Sequence, residues 1–529
     1  MFVSHGLVEP RLPLAQARVL VAGLGVTGRA CLAALAGRCA SLLVATGHNQ
    51  TVDISELEAL AGHFQALATE DSSGQGSGDQ ALREQALPAG WISQVVMPDT
   101  AQQAEQLLAS VDLVVTSPGI RPSHLLLTQA VHAGIPVWSE PELAWRLRVP
   151  RASGGGPAPW LGVTGTNGKT STVLMMESML TAAGLRTRAV GNVGSPLIQA
   201  AMDPHLDVLA VELSSFQLHF THTVSLQAST VLNLAEDHLD WHGDMDNYGN
   251  DKGRIFEHVQ RAGVYNVSDP ITRRLLEEAN VTEGAIAAGF TLAAPSPGQL
   301  GLVEDILVDR AFHAPADAPD RQHFGQELAT LADLTHLGSP PAPHTLANAL
   351  AAAGLVRAHG VQASAIAQGL RDFQPGAHRI AAVAVIDSVT YVNDSKATNA
   401  HAAGASLAAY QPGTVVWVCG GLAKGAQFDD LLARQAGQLR AAVVIGTDQR
   451  PYRQALARHA PAIPCVSIDP GDTEVMQSAV QAAQALAQPG DTVLLAPAGA
   501  SMDQFTSYAH RGDAFTQAVQ ALQGRHRTQ

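Results

Sequence analysis

Short apolar runs alternate with Ala/Leu-rich stretches of helical period along the whole chain. The segments Arg18–Ala22 (RVLVA), 93–97 (SQVVM), 112–116 (DLVVT), 161–164, 207–213 and 229–232 read as buried strands. So do Ala381–Ile386, 414–419, 441–445 and 492–496, with helical patterns such as 172–183 and 477–487 between them. A continuous apolar run of this length suits a strand covered on both faces. Strand–helix alternation implies parallel sheets with helices packed on either side. The expected fold class is therefore α/β.

Three breaks interrupt this pattern. Residues 151–159 (RASGGGPAP) form a Gly/Pro stretch just before a glycine-rich loop, and residues 372–376 (DFQPG) close an Ala-rich helical region. Both read as domain edges. Residues 70–79 (EDSSGQGSGD) read as an insertion, and the Pro-bearing stretch 291–343 reads as irregular. At ~100–200 residues per domain, 529 residues make about three or four domains.

Composition narrows the function. With 46 % hydrophobic and 15 % charged residues the chain can bury full cores. A net charge of −15 disfavours a general grip on nucleic acid. Four scattered cysteines without a CxxC give neither a disulfide framework nor a zinc pattern, which suits a reducing, cytoplasmic setting. No apolar run reaches the ~18 residues of a membrane span, and the N-terminus lacks the pattern of a signal peptide.

Residues 162–170 (GVTGTNGKT) follow a predicted strand and open a predicted helix. Backbone N–H groups at such a junction cradle phosphates, the Lys169 ammonium would neutralise the terminal ones, and the Thr170 hydroxyl would ligate Mg²⁺. Val163 stands where the usual pattern has its first glycine. Magnesium needs further hard oxygen ligands. Glu212 ends a buried strand in DVLAVELSSFQ, where ligands gather in open α/β sheets. His238, in NLAEDHLD, is either an ordinary histidine or a metal ligand.

Gly23-Leu-Gly25-Val26-Thr27-Gly28 also follows a strand and opens a helix. The acid that would bind an adenosine ribose about 20 residues later is missing, since Ala45-Thr46-Gly47 stands there. That disfavours a nicotinamide dinucleotide. Two readings remain: amides holding the diphosphate of another nucleotide-bearing molecule, or a glycine turn that packs helix on sheet. Ser117-Pro-Gly-Ile could form a second edge of the same crevice.

With these motifs the chain resembles the ATP-dependent Mur ligases, over nearly its whole length. The matching segments are GxGxxG at 23–28, SPGI at 117–120, GTNGKT at 165–170, ELSSFQL at 212–218 and NLAEDHLD at 233–240. They continue with His378-Arg379, NDSKATN at 393–399, GGLAKG at 420–425 and SMDQF at 501–505. NDSKATN and SMDQF point to the branch that adds D-glutamate. The resemblance implies three domains. Residues 1–139 would form an N-terminal Rossmann-like domain for a UDP-linked substrate. Residues 140–375 would form a central P-loop ATPase-type domain, and 376–529 a C-terminal Rossmann-like domain for ATP and D-glutamate.

The resemblance also implies roles. Gly165, Thr166, Asn167, Gly168, Lys169 and Thr170 would hold ATP with Asn348, Arg379, Asp394 and Lys396. Thr170, Glu212, His238 and Lys252 would serve two Mg²⁺ ions, Lys252 as a carbamate, because a bare ammonium would repel the metals. Lys169, Glu212, His238 and Lys252 would form the catalytic group. Gly25, Val26, Thr27, Ser117, Asn192 and His238 would meet the substrate UDP-N-acetylmuramoyl-L-alanine. Thr398, Lys424, Ser501, Met502 and Tyr508 would hold D-glutamate. Ala45-Thr46-Gly47 departs from the family's acid-Thr-Arg, which leaves the uridine contact unassigned there. The expected protein is a cytoplasmic monomer with small-molecule substrates and no nucleic-acid or membrane partner. A different Mur ligase, a folylpolyglutamate synthase or a non-catalytic nucleotide binder are the competing readings.

Overall fold

The computed structural model describes residues 9–10, 12–47, 91–315, 318, 321–337, 341–376 and 378–527. The 70–79 segment and the remainder of 48–90 lie outside the described residues. Three sheets are present, and the residues divide into two compact units. The first unit takes in residues up to 234, 241–336 and 345–373; the second takes 235–240, 337–344 and 374 onward.

The first unit holds two sheets. One is built from β1 (Arg18–Ala22), β2 (Ser41–Thr46), β3 (Ile92–Val96), β4 (Leu113–Thr116) and β5 (Val137–Ser139), all parallel, in the order β3-β2-β1-β4-β5. The other runs from β6 (Trp160–Thr164), β7 (Thr187–Gly191), β8 (Val208–Glu212), β9 (Ala228–Val231), β10 (Ala262–Asn266) and β11 (Ile286–Phe290) to β12 (Gln299–Val303), β13 (Ile306–Asp309) and β14 (Gln326–Thr330). Its order is β14-β13-β12-β11-β10-β9-β6-β8-β7. β6, β8 and β9 are buried at every position, which is why they read as unbroken apolar runs.

Two expectations change here. The 291–343 stretch carries β12, β13 and β14, whose antiparallel pairs extend the parallel sheet at its edge. Its strands are short and only partly buried, so they lack an apolar signature. The 151–159 stretch, which reads as a Gly/Pro linker at a domain edge, is an ordered turn inside the first unit. Gly154, Gly155 and Gly156 all have positive φ, and the Arg151 guanidinium donates to the carbonyls of Gly155 and Gly156.

The helix Glu140–Leu147 joins the two sheets of this unit. Glu142 is fully buried at its start and accepts from the His222 and Thr223 amides, the Thr223 hydroxyl and the Arg146 guanidinium. Burial pushes its carboxyl up, but these donors outweigh burial and hold it below the usual carboxylate range. Glu140 is equally buried with fewer donors, and there burial wins and lifts the carboxyl to about 7.

The second unit carries β15 (Ala381–Ile386), β16 (Val389–Asn393), β17 (Val415–Gly420), β18 (Leu439–Ile445), β19 (Cys465–Ser467) and β20 (Thr492–Ala498), in the order β15-β16-β20-β17-β18-β19. Only β15 is antiparallel. Among the described residues no helix is long and apolar enough to cross a membrane.

The carboxylate of Glu142 yields a prediction. Replacing it with Gln leaves buried donors short of an acceptor and should cost about 3 kcal/mol of stability. Because the folded carboxyl titrates below its unfolded value, its contribution is complete above the unfolded pKa and is lost as pH falls through the folded one. Melting curves of wild type and Glu142→Gln should therefore lie well apart at neutral pH and converge in acid. A gap independent of pH would contradict this.

Candidate active site

The chemistry-bearing loop leaves an interior strand of the larger sheet. β6 lies between β8 and β9, and the chain turns at its end into the helix Lys169–Ala182. Gly165 (φ 145°) and Gly168 (φ 86°) occupy backbone that side chains rarely adopt. A Cβ on Gly168 would also lie 2.4 Å from Asn348 Oδ1, so the buried Asn348 is set directly against the loop. Asn233 fastens the other side. Its carbonyl accepts from the Thr166 amide, its Oδ1 accepts from the Asn167 amide at 2.9 Å, and its Nδ2 donates to the Asn167 carbonyl at 3.1 Å.

Two lysines converge on this loop. Lys169 Nζ donates to the carbonyls of Gly165 (2.8 Å) and Thr166 (3.0 Å). Lys252 Nζ, in a side chain almost wholly buried, donates to the same Gly165 carbonyl at 2.9 Å. The Lys252 nitrogen also lies 4.5 Å from the ring centre of Tyr248, whose hydroxyl is 3.2 Å from Thr166 Oγ1. Like charges sharing one acceptor repel by a few kcal/mol at an effective dielectric of about 20.

Glu212, at the carboxyl end of β8, is 1 % exposed. Its Oε2 accepts from the Thr170 hydroxyl at 2.7 Å, and its Oε1 accepts from the Asn192 amide at 2.8 Å. A carboxylate in hydrogen-bond contact with a loop hydroxyl is an oxygen donor set of the kind a hard divalent cation takes, so Thr170 and Glu212 fit magnesium. Among the described residues no group of three or more His, Cys, Asp or Glu side chains forms a metal-holding cluster. The fit therefore rests on this mixed set. The first unit thus gathers Lys169, Thr170, Asn192, Glu212, Lys252 and Asn348 around one loop.

In the smaller sheet of the same unit, the glycine motif divides by role. A Cβ on Gly28 would stand 2.0 Å from the Gly23 carbonyl oxygen, and one on Gly23 would stand 2.8 Å from Ser117 Oγ. Those two glycines are required by the close approach of helix and strand. Gly25 meets nothing within 4 Å, and Val26 beside it is 75 % exposed at the head of the helix Val26–Leu35. Packing therefore explains two glycines and leaves Gly25, Val26 and Thr27 open to a ligand.

The second unit holds the other sequence-predicted residues: His238, Arg379, Asp394, Lys396, Thr398, Lys424, Ser501, Met502 and Tyr508. His238 has positive φ (54°), and its backbone amide donates to Asp237 Oδ1. Asp394 is buried and accepts from the Ser406 hydroxyl; burial lifts its carboxyl to about 6. Lys396 Nζ lies 3.8 Å from the Tyr508 ring centre. Thr398, Lys424 and His238 line a cavity of about 660 Å³ together with His401, Asp430 and Arg434. Ser501 is buried and Met502 is 73 % exposed on the loop after β20.

Three groups escaped the sequence reading. Asn233 was visible only as the first letter of a motif. Arg511 is fully buried and donates to Ser395 Oγ, to the Ser395 carbonyl and to the Gly499 carbonyl, tying NDSKATN to the end of β20. Burial lowers its guanidinium to about 10. Asp251 accepts from His219 (2.8 Å) and His242 (2.8 Å), and those bonds outweigh burial to hold its carboxyl below the usual range. An arginine and an aspartate inside helices look like solvated positions in a sequence, and only their distant partners show otherwise.

Comparison with known proteins agrees with this geometry. A model of the Mur ligase middle domain matches residues 163–356, and one of the Mur ligase glutamate ligase domain matches 378–499. Relatives named UDP-N-acetylmuramoylalanine–D-glutamate ligase include those of Streptomyces avermitilis, 58 % identical over 78 % of this chain and 85 % of that one, and Leifsonia xyli, 45 % identical over 96 % and 93 %. That of Mycolicibacterium smegmatis is 42 % identical over 96 % and 97 %. Among solved structures, a pseudomurein peptide ligase of Methanothermus fervidus superposes with a TM-score of 0.53 at 14 % identity, over 96 % of this chain and 100 % of that one. The UDP-N-acetylmuramate–alanine ligase of Thermotoga maritima gives 0.51 at 14 %, over 96 % and 100 %; at such identity these two attest the fold alone. The chain belongs to the Mur ligase family, among its UDP-N-acetylmuramoylalanine–D-glutamate ligases.

Proposed function

We propose that the chain joins D-glutamate to UDP-N-acetylmuramoyl-L-alanine at the expense of ATP. The observation that carries the reading is the convergence of Lys169, Lys252, Thr170 and Glu212 on one glycine loop, in a chain whose relatives bear that activity in their names. A carboxylate does not condense with an amine in water without activation. The L-alanine carboxylate takes the γ-phosphoryl group of ATP, ADP leaves, and an acyl phosphate forms. The D-glutamate amine attacks its carbonyl carbon, inorganic phosphate departs, and an amide remains.

Each residue set has a task in this scheme. Residues 165–170, through the amides that Asn233 does not take, and the Lys169 ammonium hold the phosphates, and Asn348, Arg379, Asp394 and Lys396 complete the ATP site. Thr170, Glu212, His238 and Lys252 would hold two magnesium ions, which offset charge on the transferring phosphoryl group. Lys252 acts as a carbamate, which replaces a second cation at the Gly165 carbonyl with an anionic oxygen ligand. Asn192 orients Glu212 and faces the muramoyl substrate. Gly25, Val26, Thr27 and Ser117 meet the nucleotide part of that substrate. Thr398, Lys424, Ser501, Met502 and Tyr508 hold D-glutamate so that encounter becomes near-attack geometry. In this division of labour, residues 1–139 carry the UDP-linked substrate, 140–375 the ATP, and 376–529 the amino acid together with the remaining contacts to ATP. The same reading has the chain working in the cytoplasm as a monomer, without nucleic-acid or membrane partners.

Two outcomes test this. With UDP-N-acetylmuramoyl-L-alanine, ATP and Mg²⁺ present, phosphate release should require D-glutamate; equal release with L-lysine or with D-alanyl-D-alanine would assign the chain to another branch. Lys169→Ala should lower kcat by about 10²–10³-fold, the usual effect of removing one group that stabilises transition-state charge. Its melting temperature should stay near that of the wild type, since the carbonyls of Gly165 and Thr166 that the ammonium bonds lie in its own loop. Wild-type turnover in this variant would remove the phosphate-loop assignment.

A further inference from the structure

A buried polar chain runs behind the site. Ser215 Oγ lies 2.9 Å from His242 Nε2, His242 Nδ1 lies 2.8 Å from Asp251 Oδ2, and Asp251 Oδ1 lies 2.8 Å from His219 Nδ1. Ser215 and His242 are buried, and Asp251 is 8 % exposed. With Asp251 as the acceptor both Nδ1 atoms carry hydrogen, and the Ser215 hydroxyl donates to His242 Nε2. The geometry is Ser–His–Asp, but the serine is enclosed and heads the helix Ser215–His219, so it is no nucleophile. Aromatic contacts close the cluster: His242 stacks on Phe216, and His219 meets Trp241 edge-on.

What the chain connects is informative. Ser215 follows Glu212 by three residues on the segment that leaves β8. His242 ends the short helix Leu239–His242, four residues beyond His238. Asp251 immediately precedes Lys252 on the helix Met245–Gly253. Neighbouring side chains on a helix diverge by about 100°, so Asp251 faces the histidines while Lys252 reaches the Gly165 carbonyl. The hydrogen-bonded chain thus joins three segments, each bearing one residue assigned to the metal site. The Asp251 carboxylate bonds both histidines and is the member of the chain that adjoins Lys252 on its helix, so it is the hub.

We propose that Asp251 is a positioning residue that, through His219 and His242, fixes the last turn of the helix Met245–Gly253 and so sets the Lys252 nitrogen where it can form and keep its carbamate. This rests on the reading of Lys252 given above. In the covalent step the unprotonated Nζ adds its lone pair to the carbon of CO₂, an N–C bond forms as one C=O π pair moves onto oxygen, and an N–H bond breaks to release its proton to solvent. The step needs a nitrogen held still in a pocket that also admits CO₂. A helix end free to shift would let the side chain swing from the Gly165 carbonyl.

The test uses the full chain equilibrated with carbon-13 bicarbonate and read by carbon-13 NMR, beside kcat and melting temperature. Wild type should show one carbamate resonance, absent from Lys252→Ala. Asp251→Asn should keep its fold, lose about 10-fold in carbamate occupancy and in kcat at ambient CO₂, and recover in part as bicarbonate is raised. KM for D-glutamate should stay within about twofold, since Asp251 acts only through Lys252. A purely structural role would lower the melting temperature and leave the folded fraction carbamylated; that result, or a folded Asp251→Asn with full occupancy and kcat, overturns the proposal. Should Asp251→Asn not fold, His219→Gln and His242→Gln each remove one of the two histidines that Asp251 bonds and are read by the same criteria. A wild type lacking the resonance sinks the carbamate reading and the positioning role with it.

Discussion

The carbonyl of Gly165 is where the electrostatics of the first unit are decided. Lys169 and Lys252 come from different helices and end on the same oxygen atom. That atom is available only because Gly165 sits at φ 145°, where a side chain would strain the backbone and a Cβ would stand 3.0 Å from that of Leu232. A single peptide unit thus sets how much positive charge faces a bound polyphosphate. It also bears on why Lys252 would act as a carbamate. Glu212 supplies negative charge nearby, but its oxygens are already held by Thr170 and Asn192.

The frame around that point depends on two buried glutamates at one joint. Glu140 and Glu142 begin the helix that links the two sheets of the first unit, yet they resolve burial differently. Glu142 has enough donors to stay ionised, whereas Glu140 accepts from the Ile198 amide and is lifted to about 7. The first acts as an ionic anchor, and the second as a carboxyl near its titration point at neutral pH. Both bond residues of the larger sheet's layer, Ile198 on one side and His222 and Thr223 on the other. The joint between the sheets is therefore an apolar cluster with two buried carboxyl anchors set into it.

The sequence revealed what depends on local pattern. β1, β6, β8 and β20 are continuous apolar runs because both of their faces are covered, and the 162–170 loop is recognisable because glycine, lysine and threonine each answer a separate local demand. β12, β13 and β14 stayed hidden because these short strands toward one end of the sheet bury only part of themselves and take their identity from their neighbours. The GxGxxG motif was legible as a motif but ambiguous in role; only the 2.0 Å approach at Gly28 separates packing glycines from the open Gly25. Asn233, Asp251 and Arg511 could not be read, because each is defined by partners far away along the chain. Asp251 beside Lys252 looks like a solvated helical pair until His219 and His242 are placed on it.

One constraint is common to the loops of both units. A buried loop carbonyl that no backbone N–H reaches needs a donor from elsewhere. In the first unit Lys169 and Lys252 serve the carbonyls of Gly165 and Thr166. In the second, Arg511 serves those of Ser395 and Gly499. The Arg511 guanidinium is buried, and the groups that take its hydrogen bonds are neutral, a costly arrangement that lowers its proton affinity. That cost is tolerable where the alternative is a set of bare carbonyls in a buried turn. Long basic side chains therefore hold the shape of these loops from behind, through their carbonyl oxygens.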